Sequence, residues 1–298
     1  MIRPSALSCC VVVAASSLGV SCGGDENADD GRLVVAAAFF PIEELVRNVG
    51  GADVDVITVV PPGEEAHEYE PTPKQLTDLA EADIVFYFGN GFQPGVEDSL
   101  DALPNSVETV DLLDNLSLLP ADGGDDPHVW LDPDNMHTMT AVVAAELASA
   151  APDLAAGFAE RAGASADELA TLDADFSDGL AFCDSRVLVT GHDAFAYLAA
   201  AYDLDNVPIA GISPSEEPSA QALEDVAELA RQLGVTTIFF EENLPDDLSR
   251  TVAAEVGADT AVLDPIESPS RDQLDDDASY VSLMRSNLAA LRAGLGCR

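Results

Sequence analysis

Basic residues are what this chain most lacks. Against 55 aspartates and glutamates it carries 12 lysines and arginines, and Lys74 is the only lysine. The formal charge of −43 excludes nucleic-acid binding, which needs a basic patch to neutralise phosphates. Such a surface gathers cations. Because the excess is spread over the whole chain, we read it as adaptation to a salty environment, where screening makes the repulsion tolerable. Also missing are a His-Glu-x-x-His pair, a Gly-x-Ser-x-Gly elbow and a phosphate-binding glycine loop, which removes the commonest hydrolase and nucleotide-binding signatures. The N-terminal apolar stretch, residues 6–21, is too short and too interrupted by serine for a comfortable membrane span. Histidine is scarce, with four in 298 residues. At 47% hydrophobic residues the chain is still ordinary for a globular protein, not a disordered acidic one.

The N-terminal stretch reads as an export signal: Arg3 is a basic start and residues 6–21 are apolar or small. It ends at Leu18-Gly19-Val20-Ser21-Cys22, which resembles a bacterial lipobox, with Gly19 where a larger aliphatic or β-branched residue is more usual. On this reading residues 1–21 are removed and Cys22 carries a lipid that anchors the chain to a membrane. Residues 22–31, rich in Gly, Asp and Asn, form a flexible tether. Plain secretion is the alternative. Either way the chain is exported, to the outer face of the cell membrane or the periplasm. Cys9 and Cys10 leave with the signal, so Cys183 and Cys297 remain. In an oxidising compartment a lone pair is expected as a disulfide, here tying the C-terminus to the start of the second half. Thiolate ligation of a metal is the weaker alternative, since neither cysteine has a partner at metal-site spacing.

The remaining part, about 265 residues, is enough for two modest domains. Both halves alternate strand and helix. Apolar or β-branched runs at 33–38, 54–60, 84–88 and 107–110 read as strands of the first half, with an amphipathic helix opened by Pro41 and closed by Gly50-Gly51, and another over 74–81. Residues 133–180 are rich in Ala, Leu and Glu, with Pro152 the only proline after Pro133, and read as one or two long helices. The second half repeats the pattern: strands at 187–190, 236–240 and 260–263, helices at 193–202, 220–233, 244–256 and 278–295. The expected fold is α/β, two lobes each with a parallel sheet flanked by helices, joined by a stiff helical connection. The expected boundaries are 32–133 for the N-terminal lobe, 134–181 for the linking region and 182–298 for the C-terminal lobe.

In parallel α/β sheets ligands collect at the carboxyl ends of strands. His67 follows strand 54–60, His128 comes after strand 107–110 and a polar loop, His192 directly follows strand 187–190 and Asp264 directly follows strand 260–263. Three imidazoles and a carboxylate fill a tetrahedral zinc site. Any one histidine alone is more often a satisfied core or surface residue; three at strand ends carry more weight together. Glu241 and Glu242, at another strand end, compete with Asp264 for the fourth place or orient an imidazole. Asp264 before Pro265 could instead be a turn former. Glu65, Glu68, Asp132 and Asp193 are near enough in sequence to hold an imidazole N–H, and Glu68 is, like Glu241, an alternative ligand. His137, beside no strand end, reads as structural or exposed.

Three segments carry a resemblance: Gly63-x-x-x-His67-x-Tyr69-Glu70-Pro71-x-Pro73, Asp126-Pro127-His128-Val129-Trp130-Leu131-Asp132-Pro133, and Gly191-His192-Asp193-Ala194-Phe195-Ala196-Tyr197. In this order they resemble the zinc- and manganese-binding proteins of ABC metal importers, the cluster A-I solute-binding family, and residues 280–291 look like that family's closing helix. The resemblance covers nearly all of the mature chain. It implies two lobes joined by one long helix with a metal between them, ligands at His67, His128 and His192 with Asp264 as the fourth, and a membrane permease as partner. In that family histidine at the third position goes with zinc and a carboxylate with manganese. His192 therefore implies zinc, as does the preference of nitrogen-rich four-coordinate sites; manganese is the alternative. The short acidic loop 122–126 stands where many zinc-type members carry a long histidine-rich one. A monomeric receptor is expected. An adhesin that holds zinc is a further reading. A zinc hydrolase with Glu68 as base is disfavoured, because four protein ligands leave no place for substrate.

Overall fold

Short apolar strands, the central ones buried on both faces, set the architecture. The computed structural model describes Met1 and residues 32–121, 124–216, 218–241 and 247–298. The export signal, the tether, Cys22 and Glu242 lie outside the described residues, as do Asp122 and Gly123 of the acidic loop. In the first lobe β1 (Leu33–Ala37), β2 (Val54–Thr58), β3 (Ile84–Tyr87) and β4 (Glu108–Asp111) form a parallel sheet of order β2-β1-β3-β4. Helices α1 (Phe40–Gly50), α2 (Pro73–Ala80) and α3 (Pro94–Leu100) connect them. The register sets Leu33 beside Val54, Val35 beside Ile84 and Ile84 beside Glu108. A two-residue hairpin, β5 (Pro120–Ala121) with β6 (Gly124–Asp125), precedes His128.

Two helices follow, α4 (Pro133–Ala150) and α5 (Ala155–Gly179), separated at Pro152, where the chain cannot continue a helix without losing a backbone donor. The 25 residues of α5 span roughly 37 Å at about 1.5 Å per residue. It packs on α1 of the first lobe, on α4 and on the closing helix of the second lobe. Arg161 ties it to the end of α1, donating to the carbonyls of Val49 (2.6 Å) and Gly50 (2.9 Å) and pairing with Asp53. These are carbonyls that a helix C-terminus leaves without intrahelical partners.

The second lobe comprises β7 (Val187–Thr190), α6 (Ala196–Ala201), β8 (Asp205–Pro208), α7 (Ala220–Leu233), β9 (Thr237–Phe240), α8 (Asp247–Val256), β10 (Asp259–Val262), α9 (Arg271–Asp275) and α10 (Tyr280–Gly294). Its sheet is also parallel, of order β10-β9-β7-β8. The sequence reading had no strand at 205–208. Asp205-Asn206-Val207-Pro208 has little apolar character, and its proline is tolerated because β8 is the sheet edge. Helix α6 begins at Ala196, not 193, because the Asp193 amide is drawn off to the carbonyl of Gly211. Cys183 and Cys297 form a disulfide between the segment after α5 and the end of the chain.

One large core is continuous from β1 and α1 through Leu172 and Phe176 of α5 and Leu288 and Leu291 of α10 to Leu188 of β7. A smaller one, with Val189, Ile209, Ala227, Ile238 and Val252, lies beneath α7 and α8. Strand order reverses between β1 and β3 in the first sheet and between β7 and β9 in the second, and such switch points open crevices at the strands' carboxyl ends.

Candidate metal centre

His67 is delivered by the loop between β2 and α2. Glu65 shapes the loop by accepting the amides of His67 and Glu68, both at 2.8 Å. Phe92 stands edge-on to the His67 ring at 4.7 Å, and Gln93 donates to the Ala66 carbonyl. His128 sits where the chain turns into α4. The Asp126 carboxylate accepts both its amide, at 2.9 Å, and its ring Nδ1, at 2.7 Å. A carboxylate only accepts, so Nδ1 carries the proton and Nε2 is turned to the centre. Asp126 is held in turn by the Tyr197 hydroxyl on its carbonyl. His192 leaves β7 directly. Its Nδ1 meets Glu241 Oε1 at 2.5 Å, Glu241 being the residue after β9 across the switch point. Gly191 makes room for that reach, since a Cβ there would lie 3.1 Å from Glu241 Oε1.

These imidazoles converge on a fourth group. Glu267 Oε1 lies 3.5 Å from Nε2 of each of His67, His128 and His192, and the His67 and His128 Nε2 atoms are 3.3 Å apart. All four donor atoms fall within 4.8 Å of one another, and all four residues are buried. His192 Nε2 and Glu267 Oε1 have no hydrogen-bond partner. A regular tetrahedron with metal–nitrogen bonds of about 2.0–2.1 Å has edges of about 3.3–3.4 Å. The Glu267–histidine and His67–His128 spacings, 3.3–3.5 Å, are close to that edge, as ligands of one zinc-sized ion would be.

Burial disfavours charge at this centre, and the neighbouring carboxylates overrule it at two imidazoles. His192, despite burial, is pushed up to about 10 by the charge and hydrogen bond of Glu241 and by Glu267. His128 is raised by Asp126 and Glu267 against the same burial. Burial would raise Glu267, but the three histidines hold it well below the usual carboxylate range. Glu267 and the two imidazoles thus favour each other's charged forms.

Asp264 does not join the group; Glu267, three residues on, does. The Asp264 carboxylate turns back on its own backbone, accepting the Ile266 amide at 2.7 Å, with Gln273 Nε2 at 3.4 Å on its other oxygen. Asn287 pins the Asp264 amide and carbonyl. The turn places Ile266 at φ 61°, a left-handed conformation costly for a β-branched residue. Trp130 Nε1 then takes the Pro265 carbonyl at 2.7 Å, and Glu267 is carried to the histidines. A carboxylate next to a proline at a strand end reads in sequence as a ligand or a turn former, and here it closes the turn. The one available signal for Glu267 was a second carboxylate in the same Asp-Pro-Ile-Glu loop. Glu241 stands behind His192, not in the group. Glu68 is exposed and accepts from Ser215 Oγ at 2.7 Å. His137 is exposed on α4, Asp132 caps that helix, and Asp193 accepts from Asn206.

Two parallel-sheet lobes on a long helix, with three buried imidazoles and a carboxylate between them, define a bilobed metal-binding protein. The chain belongs to the ZnuA family, described as zinc-uptake complex component A, periplasmic, whose profile matches residues 35–294. It is 33% identical over 289 residues to the zinc-binding lipoprotein AdcA of Streptococcus pneumoniae, covering 92% of this chain and 58% of that protein; the chain thus spans little more than half of this relative. It is 29% identical to the high-affinity zinc uptake system protein ZnuA of Bacillus subtilis, covering 97% of this chain and 96% of that one. The crystal structure of the Zn(II)-bound ZnuA-like domain of S. pneumoniae AdcA superimposes with a TM-score of 0.79 at 33% identity, covering 89% of this chain and 99% of that domain.

Proposed function

We propose that this chain is an extracytoplasmic receptor that captures zinc(II) and passes it to the permease of an ABC importer. The observation that carries this is the set of four buried donors within 4.8 Å of one another, with His67, His128, His192 and Glu267 as ligands. Asp126 and Glu241 hold His128 and His192 by Nδ1 so that each offers Nε2, as carboxylates behind zinc-bound histidines do. Three nitrogens and one oxygen favour zinc over manganese, which takes more oxygen ligands. Four protein ligands leave no coordination position for a reacting substrate, so the chain binds and does not catalyse. Family membership and the zinc-binding relatives support the same reading. A monomer anchored through lipidated Cys22 completes it.

Trp130, the only tryptophan, provides the readout. Its ring lies 5.2 Å from that of His128, and its Nε1 holds the loop that carries Glu267. Titrating zinc chloride into the metal-stripped chain should change Trp130 emission and saturate at one zinc per chain, with manganese binding more weakly. Absence of saturable one-to-one binding, or tighter binding of manganese than of zinc, overturns the proposal.

Zinc must displace protons from this cluster, since ligating histidines are neutral. Because His192 keeps its proton up to about 10, protons compete throughout the neutral range. Apparent zinc affinity should therefore rise from pH 6 to pH 8, by up to about tenfold per unit for each proton displaced. Equal dissociation constants at pH 6, 7 and 8 would contradict this.

A further inference from the structure

Side-chain hydrogen bonds join the lobes at several places, among them the Tyr197 hydroxyl on the Asp126 carbonyl and two contacts that differ in exposure. In one of these the hydroxyl of Ser268, next to Glu267, donates to the Pro61 carbonyl at 3.0 Å and accepts the Gly63 amide at 2.9 Å. Trp130 reinforces it through the Pro265 carbonyl. A second contact joins exposed residues, Ser215 Oγ donating to Glu68 Oε1 at 2.7 Å.

Ser215 also lines a cavity of about 560 Å³ whose walls include His192, Glu241, Glu65 and Asp247. The cavity thus reaches one of the four donor residues, and that residue's buried Nε2 has no hydrogen-bond partner. Its three carboxylate residues make it attractive to cations and hostile to anions.

We infer that the cation enters and leaves past His192 through this acidic cavity, with the Ser215–Glu68 contact as the latch that opens while the Ser268 contact stays closed. The inference rests on the zinc reading above. It makes His192 the first ligand an arriving ion meets and the last it leaves.

Stopped-flow mixing of zinc chloride with the metal-stripped chain, and chelator-driven release from the zinc-loaded chain, both read by Trp130 fluorescence, test it. Ser215→Ala should speed loading and release alike, by about two- to tenfold for one lost hydrogen bond, leaving Kd within about twofold. Ser268→Ala should speed release without speeding loading. Leu248→Lys places a positive charge on the cavity wall and should slow loading several-fold at low salt, an effect that fades at high salt. The route is overturned if Ser215→Ala moves neither rate or only one, or if Leu248→Lys leaves loading unchanged. Failure of the unaltered chain to bind zinc at all overturns the zinc reading itself, and is seen in the wild-type titration before any variant is compared.

Discussion

Glu267→Gln weakens zinc binding by two to three orders of magnitude, whereas Asp264→Asn leaves Kd within about threefold. Zinc sites bind with about 10–16 kcal/mol, which spread over four ligands is about 2.5–4 kcal/mol each, or roughly a hundred- to a thousandfold in Kd. Glutamine keeps the shape of Glu267 but removes the only charge that can balance the metal among the four donors. Asparagine at 264 can still accept the Ile266 amide and so keep the turn. It also removes a charge that burial resists. Asp264 is pushed up to about 6 by burial, against bonds from Ile266 and Gln273 that favour its ionised form. A raised carboxylate stabilises the fold fully below its ordinary 3.8 and loses that contribution as the pH rises through 6. Above pH 6 the Asp264→Asn variant should therefore melt higher than the parent in the metal-free state. Calorimetric zinc titration of both variants decides the fourth ligand: a large loss in Asp264→Asn with little loss in Glu267→Gln would reverse the assignment.

The second large effect concerns stability. Reducing the Cys183–Cys297 bridge, or replacing both cysteines with serine, should lower the melting temperature of the metal-free chain by about 10 °C. The bridge closes a loop with a sequence separation of 114, and a loop of that size loses about 4–5 kcal/mol of unfolded-chain entropy when crosslinked. In a protein of this size that corresponds to about 2–4 °C per kcal/mol. The bridge lies beside the entry to β7, whereas His192 follows the strand's exit. Zinc affinity should thus change less than about threefold. A melting temperature unmoved by reductant would show that the bridge contributes nothing, and a large loss of affinity would show that it shapes the site.

The three histidines were legible in the sequence because each sits in a distinctive loop after an apolar run, and the alternation of such runs with amphipathic stretches gave both sheets. The carboxylate was not. Reading Asp264 as a ligand assumes that a side chain at a strand end faces the crevice. Aspartate is short enough to bond its own backbone two residues on, and here it does so. The carboxylate that meets the histidines comes instead from farther around a loop whose path is set by contacts distant in sequence, from Trp130, Asn287 and Pro61. Glu241 was read as either a ligand or a support for an imidazole, and only the meeting of β7 with β9 places it behind His192. Edge strand β8 was missed because a strand buried on few sides needs little apolar sequence.

The hydrophobic core that passes unbroken from β1 through α5 and α10 to β7 makes the two lobes poor candidates for independent existence. Cutting the chain between α4 and α5 would leave one half without the helix that covers α1 and the other with an uncovered apolar face along Phe158, Leu169 and Leu172. Neither fragment should stay soluble alone. The intact chain should melt as one cooperative unit, so a destabilising change in one lobe lowers the population of folded sites in the other as well.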